Sequence, residues 1–486
     1  MAEPTGDTAS PRLHRRLSPF GVWLLALSCL SPVFSIYGVG GDVLAHAGTG
    51  TALLFLGGLG AALLWGFVYA ELGSAFPYAG GDYVGVGRTL GGWAGAATLA
   101  LWVATTGPSI AFQCQIAATY AGELLHGVPV SLLTFVLLAA ATAVALLGVR
   151  TSTAVTGVFL ALEMIAVVTL IACGFWHPVR GPEILLQPPR ALAGGVMAPL
   201  AFGALMSALV NAAFGTVGGN QAIYFGEELR DPHRNMGRVI IAAAMTGGFA
   251  IALPVIAVTI GARDLPAVLA SPAPFATFVS ELLGPWAAQA LSAAVVVAIF
   301  NAVIATIMMG ARLLFSIARD GLMPGAVNQL LSAVGSRTGV PRAATLAMVA
   351  FSAFCCLLAS HLLLAVMSGL VVYGWGMVCL AVLIGHRKGL TGTAHLWRAP
   401  LYPLAPLLGL LMAAGFAAAN LADAEAGRPS LILLGLVMGA AIVWYHLVLK
   451  KRGWQPSISD IGQAHGPVSQ DPLPVTGTAV PGTRGA

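Results

Sequence analysis

Ser31-Pro32-Val33-Phe34-Ser35-Ile36-Tyr37-Gly38-Val39-Gly40-Gly41 interrupts an apolar run extending from Val22 to Leu44. Phe214-Gly215-Thr216-Val217-Gly218-Gly219-Asn220 interrupts a second, extending from Val196 to Phe225. Lipid offers backbone amides no hydrogen-bond partner. A helix broken by small residues therefore persists at membrane depth only where it is buried in protein or lines a cavity. Glycine in a membrane helix also serves close packing, and one interrupted span alone would be read that way. Two interruptions at matching places, five helices apart in two halves of the chain, point instead to a binding site near the bilayer midplane.

The sequence around the two breaks sets the class. Of 486 residues, 58% are hydrophobic and 8% are charged, with a mean hydropathy of +0.88. Soluble domains carry about 25% charged residues, so an all-α polytopic membrane protein is expected. Twelve spans are long enough for a hydrocarbon core of about 30 Å. They are Val22–Leu44, Thr51–Phe76, Trp93–Leu125, Val130–Leu147, Ala154–Phe175 and Val196–Phe225 in the first half. Val239–Ile260, Pro285–Phe315, Ala343–Ala359, Leu362–Ile384, Leu404–Leu421 and Leu431–Leu449 follow.

The net charge of +5 is distributed as topology. Nineteen of the 23 Lys and Arg residues fall in alternate connections or the termini, from Arg12, Arg15 and Arg16 through Arg88, Arg150, Arg234, Lys388 and Lys451. Only Arg180, Arg190, Arg263 and Arg428 lie on the other side. The positive-inside rule then puts both termini in the cytoplasm and the protein in the cell membrane, and nucleic acid is excluded as a partner. The six cysteines all sit in apolar spans without ligand spacing, so neither a metal nor a disulfide is expected. Arg15-Arg16 and the apolar run after Phe20 resemble a signal peptide, but the run continues past any cleavage site and is read as an uncleaved first helix. The stretch after Arg452, rich in Pro, Gly, Ser and Thr, is read as a disordered tail.

Three connections are more polar than a linker requires. Glu71-Leu72-Gly73-Ser74-Ala75-Phe76-Pro77-Tyr78-Ala79-Gly80-Gly81-Asp82-Tyr83 closes the second span and leads to Arg88. Glu227-Glu228-Leu229-Arg230-Asp231-Pro232 closes the sixth. Arg319-Asp320-Gly321-Leu322-Met323-Pro324 closes the eighth. A solvated ion-pair cluster of Glu227 and Glu228 among Arg230 and Arg234, holding a cytoplasmic gate, is expected over paired-carboxylate catalysis, and Glu71, Arg88, Arg319 and Asp320 are likewise read as gate and loop-packing residues.

Taken in order, these connections and the two broken spans resemble the amino acid–polyamine–organocation (APC) superfamily of permeases, in its amino acid permease branch, from about residue 18 to residue 450. The resemblance implies a leucine-transporter-type fold. Two inverted five-helix repeats, about 21–176 and 195–385, would be followed by two peripheral helices, about 402–449. A cytoplasmic segment 1–20 would precede this transmembrane permease domain, 21–450, and the tail 451–486 would follow it. In relatives the unwound centres of helices 1 and 6 hold an α-carboxylate and an α-amine. Half-helix N-termini present N–H groups to an anion, and freed carbonyls accept from an ammonium. Carried over, the carboxylate side falls on the backbone of Ser35, Ile36, Tyr37 and Gly38. The amine side falls on the carbonyls of Phe214, Gly215 and Val217, beside Thr216 and Gly218, with Phe34 and Phe214 as walls. This chain has Phe34-Ser35-Ile36 where the family's Gly-Ser-Gly is usual, which leaves room for a related amine.

Two further residues bear on chemistry. Asn220 occupies the place, counted back from Asp231-Pro232, where many relatives carry Asp or Glu. A neutral amide supplies a donor and an acceptor but no counter-charge, favouring a neutral amino acid or mono-amine over a polyamine. The other reading is a cap on the restarted helix. Glu163 lies mid-span among Phe159-Leu160-Ala161-Leu162 and Met164-Ile165-Ala166, where an ionised, unpaired carboxylate is costly. Counted from Gly148-Val149-Arg150, it falls where some relatives place a lysine facing the helix-1 break. It would either couple transport to protons or remain protonated and structural.

The chain carries no Walker-type phosphate loop and no Ser–His–acid grouping. The expectation is therefore a secondary transporter for amino acids or related amines, with no catalytic residues, cofactor or metal. The alternatives are a membrane sensor or enzyme on the same frame, or a permease for another organic cation. An enzyme would need more polar side chains within the spans, and a sensor a sizeable soluble domain.

Overall fold

The computed structural model describes residues 17–78, 81–147, 153–185, 187–226, 228–319, 321–333, 340–394 and 396–454. Each of the twelve expected spans contains a helix, though not over its whole length. The first is α1 (Pro19–Leu30), α2 (Pro32–Phe34), a π-helical stretch Ser35–Gly40 and α3 (Gly41–Ala47). The second is α4 (Thr51–Ala75). After α5 (Asp82–Leu90) come α6 (Gly92–Gly122), α7 (Val130–Leu146) and α8 (Thr153–Trp176). The sixth span is α9 (Phe202–Thr216) continued by a 3-10 stretch, Gly219–Phe225. α10 (Pro232–Gly261) is followed by short α11 (Leu265–Ala270) and α12 (Pro274–Leu283). The remainder is α13 (Pro285–Arg319), α14 (Gly325–Leu331), α15 (Arg342–Cys355), α16 (Ser360–Arg387), α17 (Leu404–Ala422) and α18 (Gly427–Trp444), the last extended by a π-turn to Leu449.

Local chemistry fixes many of these ends. Ser18 caps α1, its hydroxyl accepting from the Gly21 N–H at 3.1 Å, and Pro19 occupies the first turn, where no N–H is missed. Pro232 opens α10 in the same way. Pro77, two residues past the end of α4, cannot continue a helix. Among the described residues, eight helices are long and apolar enough to cross a membrane, or nine if the bent pair in the sixth span is one crossing. The first of these, Pro19–Ala75, runs through two of the expected spans. The 17-residue α7 and 14-residue α15 are shorter than a full crossing.

The sixth span begins later than its hydrophobicity suggests. Val196–Pro199 is not helical: it is β2, paired antiparallel with β1 (Arg190–Ala193). Gly194 and Gly195, at φ 57° and 83°, supply the left-handed turn a two-residue hairpin requires. The apolar residues of β2 therefore belong to a surface hairpin, and the otherwise all-helical class acquires one small sheet. The hairpin packs just past the C-terminal end of the first span, where the Thr49 hydroxyl accepts from the Arg190 N–H at 2.9 Å.

Candidate substrate-binding site

The first break is a single residue. Ser31 adopts φ 45°, ψ 83°, and Pro32 begins a new turn directly after it. The new turn's N–H groups find unusual partners. Phe34 N–H points at the Ser31 hydroxyl at 3.5 Å, and Ser35 N–H donates to the Ser31 carbonyl at 3.1 Å. Val33 N–H turns to the carboxylate of Glu163. The Ser31 hydroxyl lies 3.4 Å from the same carboxylate, which is 1% exposed. Ser35 Oγ reaches back to the freed Leu30 carbonyl at 3.5 Å.

Helix resumes at once, so the opened donor end lies at Val33–Phe34 rather than over Ser35, Ile36, Tyr37 and Gly38. Those four residues lie in the π-helical stretch Ser35–Gly40, at whose end the Gly41 N–H reaches the Ile36 carbonyl, five residues earlier. Their side chains diverge. Tyr37 faces Tyr120 and Phe275 at ring separations of 5.4 and 5.1 Å. A Cβ on Gly38 would lie within 3.2–3.3 Å of Ile116, Phe112 and Phe34. Phe34 meets Phe112 edge-on at 5.7 Å, an aromatic wall beside the break.

The second break spans Val217 and Gly218 and bends the helix by 41°. Thr216 does not face the opening, its hydroxyl returning to the Ala212 carbonyl at 2.9 Å. The two breaks are in contact. A Cβ on Gly215 would fall 2.8 Å from Val39, and one on Gly218 would strike Leu30. Gly219 packs on α10 with an ideal Cβ only 2.6 Å from Ile240 O. Asn220 is 5% exposed and lies inside the 3-10 stretch, which starts at Gly218 with no side-chain cap. The capping reading of Asn220 therefore has no support in the geometry. Phe214 is half-buried beside it.

The gate and loop-packing candidates that lie among the described residues are held by backbone, ring and histidine contacts. Glu71 is fully buried and accepts from Ala399 N–H at 2.8 Å and His386 Nδ1 at 3.1 Å, so it ties the α16–α17 connection to α4. His386 stacks on Tyr402 at 3.8 Å. The Arg88 guanidinium lies over the Tyr78 ring at 5.6 Å, and that of Arg319 over Phe315 at 6.0 Å. Glu228 contributes its backbone, its carbonyl accepting from Leu17 N–H at 2.9 Å while Arg230 N–H donates to the Leu17 carbonyl at 3.1 Å. Glu227 and Asp320 lie outside the described residues. A long side chain reaching a buried backbone donor or an aromatic face escapes the entropy cost of an exposed ion pair.

One carboxylate at this end was not singled out from sequence. Asp82, 1% exposed, accepts from Tyr69 Oη and Trp102 Nε1 at 2.9 Å each and from Tyr224 Oη at 3.3 Å. Burial pushes its carboxyl above the ordinary range, against the pull of those three donors. Its acidic letter beside Gly80-Gly81 was the available signal, but its partners lie 13, 20 and 142 positions away.

The two helix breaks thus touch, and one of them is met by a buried carboxylate. The amino acid permease profile matches residues 20–448. The chain belongs to the amino acid permease family. It is 31% identical over 268 residues to the human large neutral amino acids transporter small subunit 2, covering 53% of this chain and 49% of that one. It is 31% identical over 294 residues to the mouse Asc-type amino acid transporter 1, covering 58% and 54%. It is 24% identical over 412 residues to a branched-chain amino acid permease of Lactococcus lactis, covering 78% and 83%. The chain spans about half the length of the first of these relatives. Among solved structures, a manganese transporter of Eremococcus coleocola shares the fold, with TM-score 0.51 and 10% identity over 89% of this chain and 94% of that one.

Proposed function

We propose that the chain is a secondary active transporter carrying an amino acid or related small amine across the cytoplasmic membrane by alternating access, as a proton symporter or exchanger. In this reading twelve helices cross the bilayer with both termini in the cytoplasm, the first ten form two inverted repeats, and substrate sits between the two breaks. The observation that carries it is the meeting of the buried Glu163 carboxylate with the opened end of the first span, at Ser31 and the Val33 N–H. An ionised Glu163 holds those donors. Protonation releases them, and a substrate carboxylate can then accept from the same N–H end. Loading substrate and taking up a proton thus favour each other, as symport requires.

Glu163→Gln keeps an acceptor beside Ser31 and removes titration. In proteoliposomes with an imposed proton gradient, the variant is expected to exchange labelled substrate while its accumulation ratio falls to about one. Accumulation equal to the parent's, with unchanged pH dependence, removes Glu163 as the coupling group.

The substrate class rests on Asn220 and on relatives named for large neutral and branched-chain amino acids. The neutral amide supports a neutral amino acid or mono-amine. In competition uptake, neutral amino acids are expected to displace the tracer better than arginine or spermidine. The reverse order overturns this assignment.

A further inference from the structure

The 3-10 stretch Gly219–Phe225 hangs from α9 by Val217, which is extended, and Gly218, at φ −162°, ψ −5°, so it is an arm on a hinge. Its far end is held at one polar point. Tyr224 lays its ring over the start of α5, where Gly81, at φ 71°, leaves no Cβ to obstruct it. Its hydroxyl then reaches Asp82 Oδ1 at 3.3 Å. The other two bonds to Asp82 are shorter, 2.9 Å each, and come from the long continuous helices α4 (Tyr69) and α6 (Trp102). The Trp102 ring also meets Tyr224 edge-on at 6.2 Å. Asp82 is thus fixed to two rigid posts and offers its remaining capacity to the hinged arm.

We propose that Asp82 is the positioning residue of the cytoplasmic gate: held by Tyr69 and Trp102, it latches the arm 219–225 through Tyr224, and the gate opens when that third bond lets go. This rests on the transport reading above. Losing the longest of three bonds leaves the carboxylate with two donors, so release strands no bare buried charge. The arm does not move alone. Just beyond it, Leu229 lies opposite Leu17, whose N–H donates to the Glu228 carbonyl at 2.9 Å and whose carbonyl accepts from Arg230 N–H at 3.1 Å, which joins the arm to the inner half of the first span, α1. Release at Tyr224 therefore frees the inner halves of both broken spans together.

Hydrogen–deuterium exchange on the full chain in nanodiscs tests the latch without substrate. Tyr224→Phe keeps the ring and its seat while deleting the donor. Exchange is expected to rise about fivefold, the size set by one net hydrogen bond, in peptides covering 219–229 and 17–30. Peptides covering 82–90 should stay at the parent rate, because Asp82 retains two donors. Asp82→Leu, which removes the whole junction, is expected to loosen 82–90 as well. If Tyr224→Phe leaves 219–229 and 17–30 unchanged, or loosens 82–90 instead, Asp82 is a structural anchor and the latch is wrong. Because this readout needs no solute, failure of amino acid uptake in the parent would sink the transport reading and leave the exchange result standing.

Discussion

Asp423, where α17 ends, shows how much a single carboxylate can gather at a connection. It accepts from the Ser207 hydroxyl at 2.9 Å and from the N–H groups of Glu425 and Ala426 at 3.0 and 3.3 Å, tying α9 to the α17–α18 turn. Burial alone would raise its pKa, but the Ser207 hydroxyl and the turn's N–H groups outweigh that and hold it below the ordinary 3.8. An acid depressed in the folded state stabilises fully above its unfolded value and loses that contribution as pH falls through its folded one. The melting-temperature gap between parent and Asp423→Asn is therefore expected to be widest above about pH 5 and to close on acidification. A gap constant with pH would mean the carboxylate's charge is not what the turn uses. The expected position of Glu163 facing the first break agrees with its contacts to Ser31 and the Val33 N–H, since a carboxylate among apolar neighbours has few other places to go. Residue-level reading failed for Asp82, whose donors come from three separate elements. Hydrogen-bond partners distant in sequence leave no local pattern.

At the scale of elements, the breaks were legible because Ser31-Pro32 and Gly218-Gly219 are poor continuations of a helix wherever they occur. The internal register was less so. That Ser35–Gly40 resumes as a π-helix depends on packing against α6 and α9, which apolar letters do not encode. The hairpin Arg190–Pro199 was invisible for a related reason, since an apolar strand adjoining an apolar helix reads as one run. Packing also assigns the glycines different weights. Gly219 has backbone atoms of α10 2.6 Å from its ideal Cβ, whereas exposed Gly60 has nothing within 4 Å. Gly219→Ala is expected to destabilise the protein by about 1–3 kcal/mol through overpacking. Gly60→Ala is expected to be neutral or stabilising by up to about 1 kcal/mol, since alanine is the better helix former. Thermal unfolding of both variants in one detergent checks the contrast, and equal shifts would refute it.

Across the whole molecule, basic residues at the two ends use different anchors. The Arg180 guanidinium donates to the Ala262 carbonyl, and the backbone N–H of Arg190 donates to the Thr49 hydroxyl, at the end that carries the hairpin. Lys388 donates to the Thr89 carbonyl at 2.8 Å, at the end where Leu17 meets Leu229. In whole cells, single cysteines at positions 180, 190 and 263 are expected to react with an impermeant reagent, and those at 234, 388 and 451 only after permeabilisation. External labelling at 388 and 451 would invert the topology. The expected orientation rests on the alternation of charge in the sequence, whereas the crossing of α8 and α10 leaves no such pattern. There the two helices touch glycine to glycine, an ideal Cβ on Gly261 falling 2.6 Å from Gly174 Cα. With no side chain between them, the outer end of α8 has a fixed pivot. Glu163 lies eleven residues down the same helix, a lever arm of about 16 Å. A tilt of about 10° about that pivot would sweep the carboxylate about 3 Å, as far as a hydrogen bond is long. In the proposed transport cycle, the helix that carries Glu163 is geared so that a small rocking at this contact becomes a full disengagement at its centre.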